Sequence, residues 1–288
     1  MTIDIECLTC FSKQAEQIIR KFVGDKERRL ALMGEVLGKV GEFHGGMTPL
    51  ELSPFVYHLL SERLGVEDLY REEKEWTNEK ALALEPFIKL VLSEADLPFT
   101  AGIKLSIIGN IMDYGLDAVR HIDLEAFIIE YMKKELLYNE QEAFISDLGR
   151  YQRLIYLTDN SGEIIFDRVW LSFLKERFPS LEIIIGAKES PILNDVTHME
   201  VKKLGFDKLG RVLSTGSRLP GNMEKNFSEE FKEVWKQPAV VLAKGQGNFE
   251  GMWGNPRKIY FAFMAKCPFL AGEIKVPLYS MLFRANHP

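Results

Sequence analysis

Four stretches of the sequence place oxygen-bearing, cationic or glycine residues directly after short apolar runs. Asp159 and Asn160 follow Arg153-Leu-Ile-Tyr-Leu157 and lead into Ser161-Gly162-Glu163. The run Leu181-Glu-Ile-Ile-Ile185 ends in Gly186-Ala187-Lys188-Glu189, with Asn194-Asp195 a few residues on. A weaker run, Arg211-Val-Leu-Ser214, opens into Thr215-Gly216-Ser217-Arg218-Leu219-Pro220-Gly221. Ala239-Val-Val-Leu-Ala243 is followed by Lys244-Gly245-Gln246-Gly247-Asn248-Phe249-Glu250-Gly251. Two carboxylates and an amide oxygen suit a hard or borderline divalent cation such as magnesium or manganese, and nickel and cobalt stay open. A lysine in a glycine-rich loop beside such a cation suits a phosphoryl group. The lysine neutralises charge, the glycines let backbone amides approach, and the cation polarises a phosphoryl oxygen.

Each stretch also has a plain structural reading. Asx-Ser-Gly after a strand is a common turn or helix start, and Asn194-Asp195 before Val196 equally suits an N-cap. What singles them out is their common place. The apolar runs read as strands that alternate with helices at Glu163 to Phe178, about Val196 to Leu204, and Ser228 to Trp235, and Lys258 to Met264 offers a fifth strand. That rhythm implies a parallel sheet with right-handed crossovers. Ligands of such a sheet bind at the carboxyl ends of its strands, which is where all four stretches fall.

Before residue 150 the sequence reads as helices, with no convincing strand. Ile18, Ile19, Phe22 and Val23 share helical spacing within Ala15 to Val23. Thr48-Pro49 caps a helix running to Leu64, and Trp76 to Val91 and Leu124 to Phe144 repeat the pattern. Gly102 to Gly115 is an apolar helix interrupted by Gly109-Asn110, a pair that helix interiors disfavour. The division is therefore a mainly helical part over 1–148 and an α/β part over 149–288.

Composition narrows the function. The chain has 288 residues, 46% of them hydrophobic, and a formal net charge of -6. No basic excess or stripe marks a nucleic-acid binder. No apolar run reaches the roughly 18–20 residues that span a bilayer, and the acidic start Met1-Thr2-Ile3-Asp4-Ile5-Glu6 is unlike a signal peptide. Three cysteines, Cys7, Cys10 and Cys267, form no disulfide framework. These features together lead us to expect a cytoplasmic protein that binds neither nucleic acid nor membrane.

Asp159-Asn160-Ser-Gly-Glu163, Asn194-Asp195, Lys244-Gly-Gln-Gly-Asn-Phe-Glu250 and Gly109-Asn110-Ile-Met-Asp113 resemble the signature blocks of the metal-dependent damage-control phosphatase family, formerly a family of unknown function. Glu6-Cys7-Leu-Thr-Cys10 resembles the N-terminal signature of its prokaryotic-type subgroup. The blocks run in order from residue 6 to 251, and Lys244 to Glu250 is the most specific. The resemblance implies a helical N-terminal part packed on a Rossmann-like, mainly parallel α/β part with flanking helices. It implies a divalent cation (Mn2+, Ni2+, Co2+ or Mg2+) held by Asp159, Asn160 and Asp195. It also implies hydrolysis of small phosphorylated metabolites, such as sugar phosphates, damaged nucleotides or their precursors. Asn110 and Asp113 then line the pocket from the helical part.

The expected reaction is phosphomonoester hydrolysis, with Asp159 and Lys244 as catalytic residues. Lys244 pairs with a phosphoryl oxygen. Ser161, Asn194, Gly245, Gly247 and Asn248 complete the phosphate site through the helix start and the glycine loop. Direct attack by water and attack by Asp159 to form an aspartyl-phosphate both remain open. Cys7-x-x-Cys10 lacks the second pair a structural zinc needs, so packing, or a surface dithiol without catalytic duty, is the expected role. The five histidines show no metal-binding spacing, and only His198, three residues beyond Asp195, is placed to reach the pocket. Two alternatives are weighed. An S-adenosylmethionine-dependent methyltransferase would want Gly-x-Gly-x-x-Gly after the first strand, which is missing. A non-catalytic phosphometabolite-binding protein would have no need of the carboxylate pair.

Overall fold

The computed structural model describes residues 2–42, 46–113 and 122–286, with the side chain at 113 outside that description. Seven strands form one sheet in the order β1-β7-β6-β5-β2-β3-β4. They are β1 (Leu136–Leu137), β2 (Arg153–Leu157), β3 (Glu182–Ala187), β4 (Arg211–Ser214), β5 (Val240–Lys244), β6 (Tyr260–Met264) and β7 (Met281–Ala285). Every neighbouring pair is parallel except β6 with β7. From β2 the chain steps outward through β3 and β4, then returns to place β5 on the other side of β2. The crevice between β2 and β5 is the topological switch point, where α/β sheets bind ligands.

Apolar side chains alternate between the two faces, as the two-residue period of a strand requires. Leu154, Tyr156, Ile183, Ile185 and Leu242 join one core, while Ile155, Leu157, Ile184, Val241 and Ala243 join the other. Both faces are covered, so these strands are unbroken apolar runs and stand out in the sequence.

Helices α1 (Ile5–Phe22), α2 (Lys26–Gly41) and α3 (Pro49–Leu64) pack on one another through Phe11, Ile18, Val36, Val56 and Leu60, with Ile192 from the α/β part in the same cluster. Asp4 caps α1 by accepting from Glu6 N at 3.0 Å. Thr48 and Glu51 form the reciprocal capping box of α3, and Gly65 ends it in the left-handed conformation. Helix α4 (Arg71–Ser93) and the apolar α5 (Pro98–Ile108) lie against α8 (Glu163–Arg177). At Gly109 the chain tightens into a 3-10 turn, Gly109–Asp113, so the expected interruption is present. The Phe166 ring presses on that turn: a Cβ on Gly109 would sit 2.9 Å from its Cγ.

Three expectations need correction. Leu124 to Phe144 is not one helix but α6 (Leu124–Lys133) and α7 (Gln141–Tyr151), separated by β1 and by Tyr138 at φ 51°. β1 pairs with β7, so a strand does precede residue 150. The glycine-rich stretch after β5 is a helix, α11 (Gly245–Met252), rather than a loop. Only Gly245 there has positive φ, at 80°. Gly247 and Gly251 are helical and serve close packing: a Cβ would lie 2.5 Å from Pro220 O at the first and 2.2 Å from Asn222 O at the second. The remaining helices are α9 (His198–Lys203), α10 (Glu229–Trp235) and α12 (Pro268–Glu273). None of the described helices is long and apolar enough to cross a membrane.

Candidate active site

β2 ends at Leu157, and the next residues turn sharply before α8. Gly162 takes φ 76°, and its N–H donates to Asn78 Oδ1 at 2.7 Å. The segment is zipped to the one after β3: Val196 N donates to Asp159 O and Ser161 N to Asn194 O, both at 2.9 Å. Asn160 and Asp195 thereby become antiparallel bridge partners. This pairing brings together Asp159, Asn160 and Asp195, which come from two separate strand ends.

Asn110, Asp159, Asn160, Asn194, Asp195 and Gly247 all line one cavity of about 460 Å3. Its far wall is the face of α1 bearing Cys10, Phe11, Gln14 and Gln17, and Gln246, Glu250 and Lys266 close another side. The cavity therefore lies between the helical part and the switch point of the sheet. Lys266 Nζ donates to Asn110 O at 3.2 Å, which sets a cation beside the acidic end. A second one, Lys188, is buried 3.5 Å from Asp195 Oδ2 and also donates to Gly221 O. Burial pushes the Lys188 ammonium down, opposed by the charges of Asp195 and Asp159.

Gly245 presses directly on Asp159: a Cβ there would stand 1.9 Å from Asp159 Oδ2. Two amides hold the same oxygen. Asn160 Nδ2 donates to it at 2.7 Å and Asn110 Nδ2 at 3.3 Å.

Lys244 is not brought to the cavity wall. It is fully buried, and Nζ donates to Glu163 Oε1 at 2.6 Å, Asp167 Oδ1 at 2.8 Å and Ser106 O at 2.8 Å. An ammonium has three hydrogens, so all of them are engaged. One ammonium between two carboxylates leaves an excess negative charge in a dry space. Burial pushes Asp167 up to about 6 despite Lys244, with the Glu163 charge adding to the rise. Burial alone would lower Lys244, but the two carboxylates outweigh it and hold the ammonium above its ordinary range.

Ser161 and Asn248 also sit behind the site. Ser161 is buried, with its amide committed to Asn194. Asn248 joins strand ends by donating to Thr158 O at 3.1 Å and Lys244 O at 2.6 Å, and it accepts from Asn222 Nδ2 at 2.8 Å. His198 directs Nδ1 to Lys188 O at 3.2 Å. Cys7 packs in the core of α1 to α3, whereas Cys10 reaches the cavity wall. The side chain of Asp113 falls outside the described residues.

Glu163, Asp167, Lys188 and Lys266 have no role in the sequence reading, although Glu163 and Lys188 lie within its strand-end stretches. A signal was present for the first two. Acids at i and i+4 share a helix face, here among Ile164, Phe166 and Trp170, and a buried face needs a counterion. No comparable signal marks Lys266.

The donor set fits a hard divalent cation. Asp159 and Asp195 offer carboxylate oxygens and Asn160 an amide oxygen, all three are largely buried, and all border the same cavity. Among the described residues no three His, Cys, Asp or Glu side chains gather in metal-ligating fashion, so a cation here would need an amide oxygen and water as well as carboxylates.

The sequence profile of the damage-control phosphatase ARMT1-like domain matches residues 3–282. The damage-control phosphatase PH1575 of Pyrococcus horikoshii is 33% identical over 290 residues, 99% of each chain. A damage-control phosphatase of Archaeoglobus fulgidus is 30% identical over 238 residues, 80% of each chain. The crystal structure of a DUF89 family protein from Pyrococcus horikoshii superimposes with a TM-score of 0.90 at 32% identity over the whole of both chains. On the profile match, the full-length similarity and the shared fold, the chain belongs to the damage-control phosphatase ARMT1-like family.

Proposed function

We propose that this chain hydrolyses phosphomonoesters of small metabolites, and that Asp159, Asn160 and Asp195 hold the divalent cation (Mn2+, Ni2+, Co2+ or Mg2+) the reaction uses. The observation that carries the reading is the convergence of two buried carboxylates and an asparagine from separate strand ends on one cavity at the switch point. When bound, such a cation polarises a phosphoryl oxygen and lowers the pKa of water. The chain's own residues do the rest. Lys266, on the cavity wall, pairs with a phosphoryl oxygen, the role the sequence suggested for Lys244. The start of α11 has no side-chain cap and places Gly247 on the wall, so its first N–H groups meet the same anion. Gln14, Gln17 and Gln246 offer hydrogen bonds to the leaving group. Relatives named as damage-control phosphatases support metabolite repair as the setting.

Neither alternative gains support. The turn after β2 carries Asp159-Asn160 in place of a dinucleotide-type glycine motif. A simple binding protein leaves the carboxylate pair unexplained. The test is phosphate release from p-nitrophenyl phosphate and a panel of sugar and nucleoside monophosphates, with each cation and after chelation. Metal-dependent release from at least one ester is expected. Release at the same rate after exhaustive chelation, or from no ester with any cation, refutes the proposal.

A further inference from the structure

The network behind the cavity has a direction built into it. Asn160 Nδ2 donates to Asp159 Oδ2 at 2.7 Å and to Glu163 Oε2 at 3.3 Å. Asn110 Nδ2 donates to the same two atoms, at 3.3 Å and 2.6 Å. An ionised carboxylate only accepts, so both asparagines must turn their NH2 groups towards these oxygens. Turning either amide over would set its oxygen against two carboxylate oxygens. The other oxygen of Glu163, Oε1, is tied to the buried Lys244 ammonium, which Asp167 and Ser106 O hold in place. Glu163 is thus an acceptor at both ends.

We infer that Glu163 and Lys244 are positioning residues that fix the amide of Asn160 with its nitrogen inward and its oxygen towards the cavity. The inference rests on the reading that Asn160 is a cation ligand, because only the oxygen of an amide binds a hard cation. Lys244 acts through Glu163, not on the substrate. Its position directly before Gly245 also couples this relay to the glycine against which Asp159 rests. Partners behind the ligands commonly set ligand orientation at metal sites, and their loss weakens metal binding by about 10- to 100-fold.

Glu163→Gln tests the direction of the amide. Lys244 still demands an acceptor, so the introduced glutamine presents its oxygen to Lys244 and its NH2 to Asn160. That sets one NH2 against another at Asn160, whose remaining acceptor is Asp159 Oδ2 at 2.7 Å, so the Asn160 amide must either shift out of place or turn its nitrogen towards the cation. Calorimetric titration with Mn2+ should then show affinity at least tenfold weaker than the parent. Adding Asn160→Asp should bring affinity back to within about threefold. A carboxylate offers oxygen whichever way it turns, it accepts from the introduced glutamine, and the pair of changes conserves total charge. If Glu163→Gln does not fold, Glu163→Asp keeps the charge for Lys244 but not the reach to the asparagines, and the same loss is expected. Parent-like Mn2+ affinity in a folded Glu163 variant overturns the inference. So does equal weakness in the single and double variants, which would make Glu163 a matter of stability alone. A parent chain that binds no Mn2+ overturns the cation site itself, and this inference with it.

Discussion

Gly245→Ala perturbs the acidic end of the cavity through one added carbon. The new Cβ would lie 1.9 Å from Asp159 Oδ2 and 2.1 Å from its Cγ. An ordinary contact is about 3.4 Å, so the carboxylate or the backbone must give by about 1.5 Å. Backbone φ at 80° adds a cost of its own, roughly 1–2 kcal/mol for a residue with a side chain. Moving the carboxylate also strains its bonds from Asn160 and Asn110, each worth roughly 1.5–3 kcal/mol because one partner is charged. With partial relaxation the expected loss of stability is about 2–4 kcal/mol. Displacing a proposed ligand should weaken Mn2+ binding at least tenfold, about 1.4 kcal/mol. Gly251→Ala is the control. Its Cβ would meet Asn222 O at 2.2 Å, a comparable clash with a neighbouring loop rather than with Asp159. The assays are denaturant unfolding and Mn2+ calorimetry on both folded variants. Both should lose stability, and Gly245→Ala alone should lose the cation. Parent-like Mn2+ affinity in Gly245→Ala would refute the reasoning, and so would an equal loss in Gly251→Ala.

Other outcomes follow from the same geometry. Lys266→Met should lower kcat/KM by roughly 10- to 150-fold, the worth of one charge-assisted contact, and leave Mn2+ affinity unchanged; a parent-like kcat/KM would remove Lys266 from the phosphate site. Lys244→Met should destabilise the fold by roughly 3–5 kcal/mol, because Glu163 and Asp167 would be left buried without their counterion; denaturant unfolding reads this, and a change below 1 kcal/mol would contradict it. Asp167 has a folded value of about 6 against an ordinary 3.8, so its protonation stabilises the fold fully below about 3.8 and this contribution is lost as pH rises through about 6. The difference is worth about 3 kcal/mol, and Asp167→Asn should flatten the fall in unfolding free energy between pH 4 and 7; an unchanged slope would show that Asp167 titrates normally. Replacing Cys7 and Cys10 together by serine should leave turnover within a few-fold of the parent, since neither thiol has a part in the proposed chemistry; a loss of orders of magnitude in a folded variant would give them one.

The α/β part was legible because its strands are buried on both faces. Runs such as Leu154 to Leu157 and Val240 to Ala243 are apolar without interruption, and no surface helix imitates that. β1 escaped because two residues carry no period, and its pairing with β7 depends on a neighbour 145 positions away, Leu136 against Met281. The acidic pair was visible because strand ends in a parallel sheet are where ligands meet it. The Lys244 segment was harder to read. Its glycines are the composition of a phosphate loop, yet Gly247 and Gly251 are there so that the 220–222 segment can pack closely. Whether a lysine at a strand end faces a cavity or two buried acids depends on Glu163 and Asp167, both on α8 and 81 and 77 positions earlier in the chain. The α1 wall of the cavity is a product of tertiary packing, and its Gln14 and Gln17 look like ordinary surface residues in the sequence.

Crystals soaked in Mn2+ and measured at the manganese absorption edge test the central claim most directly. One anomalous peak is expected in the cavity, at about 2.1 Å from oxygens of Asp159, Asn160 and Asp195, and it should be lost in Asp195→Ala crystals. A peak elsewhere, such as beside Cys10 and Cys267, or no peak at a concentration that supports turnover, would contradict it.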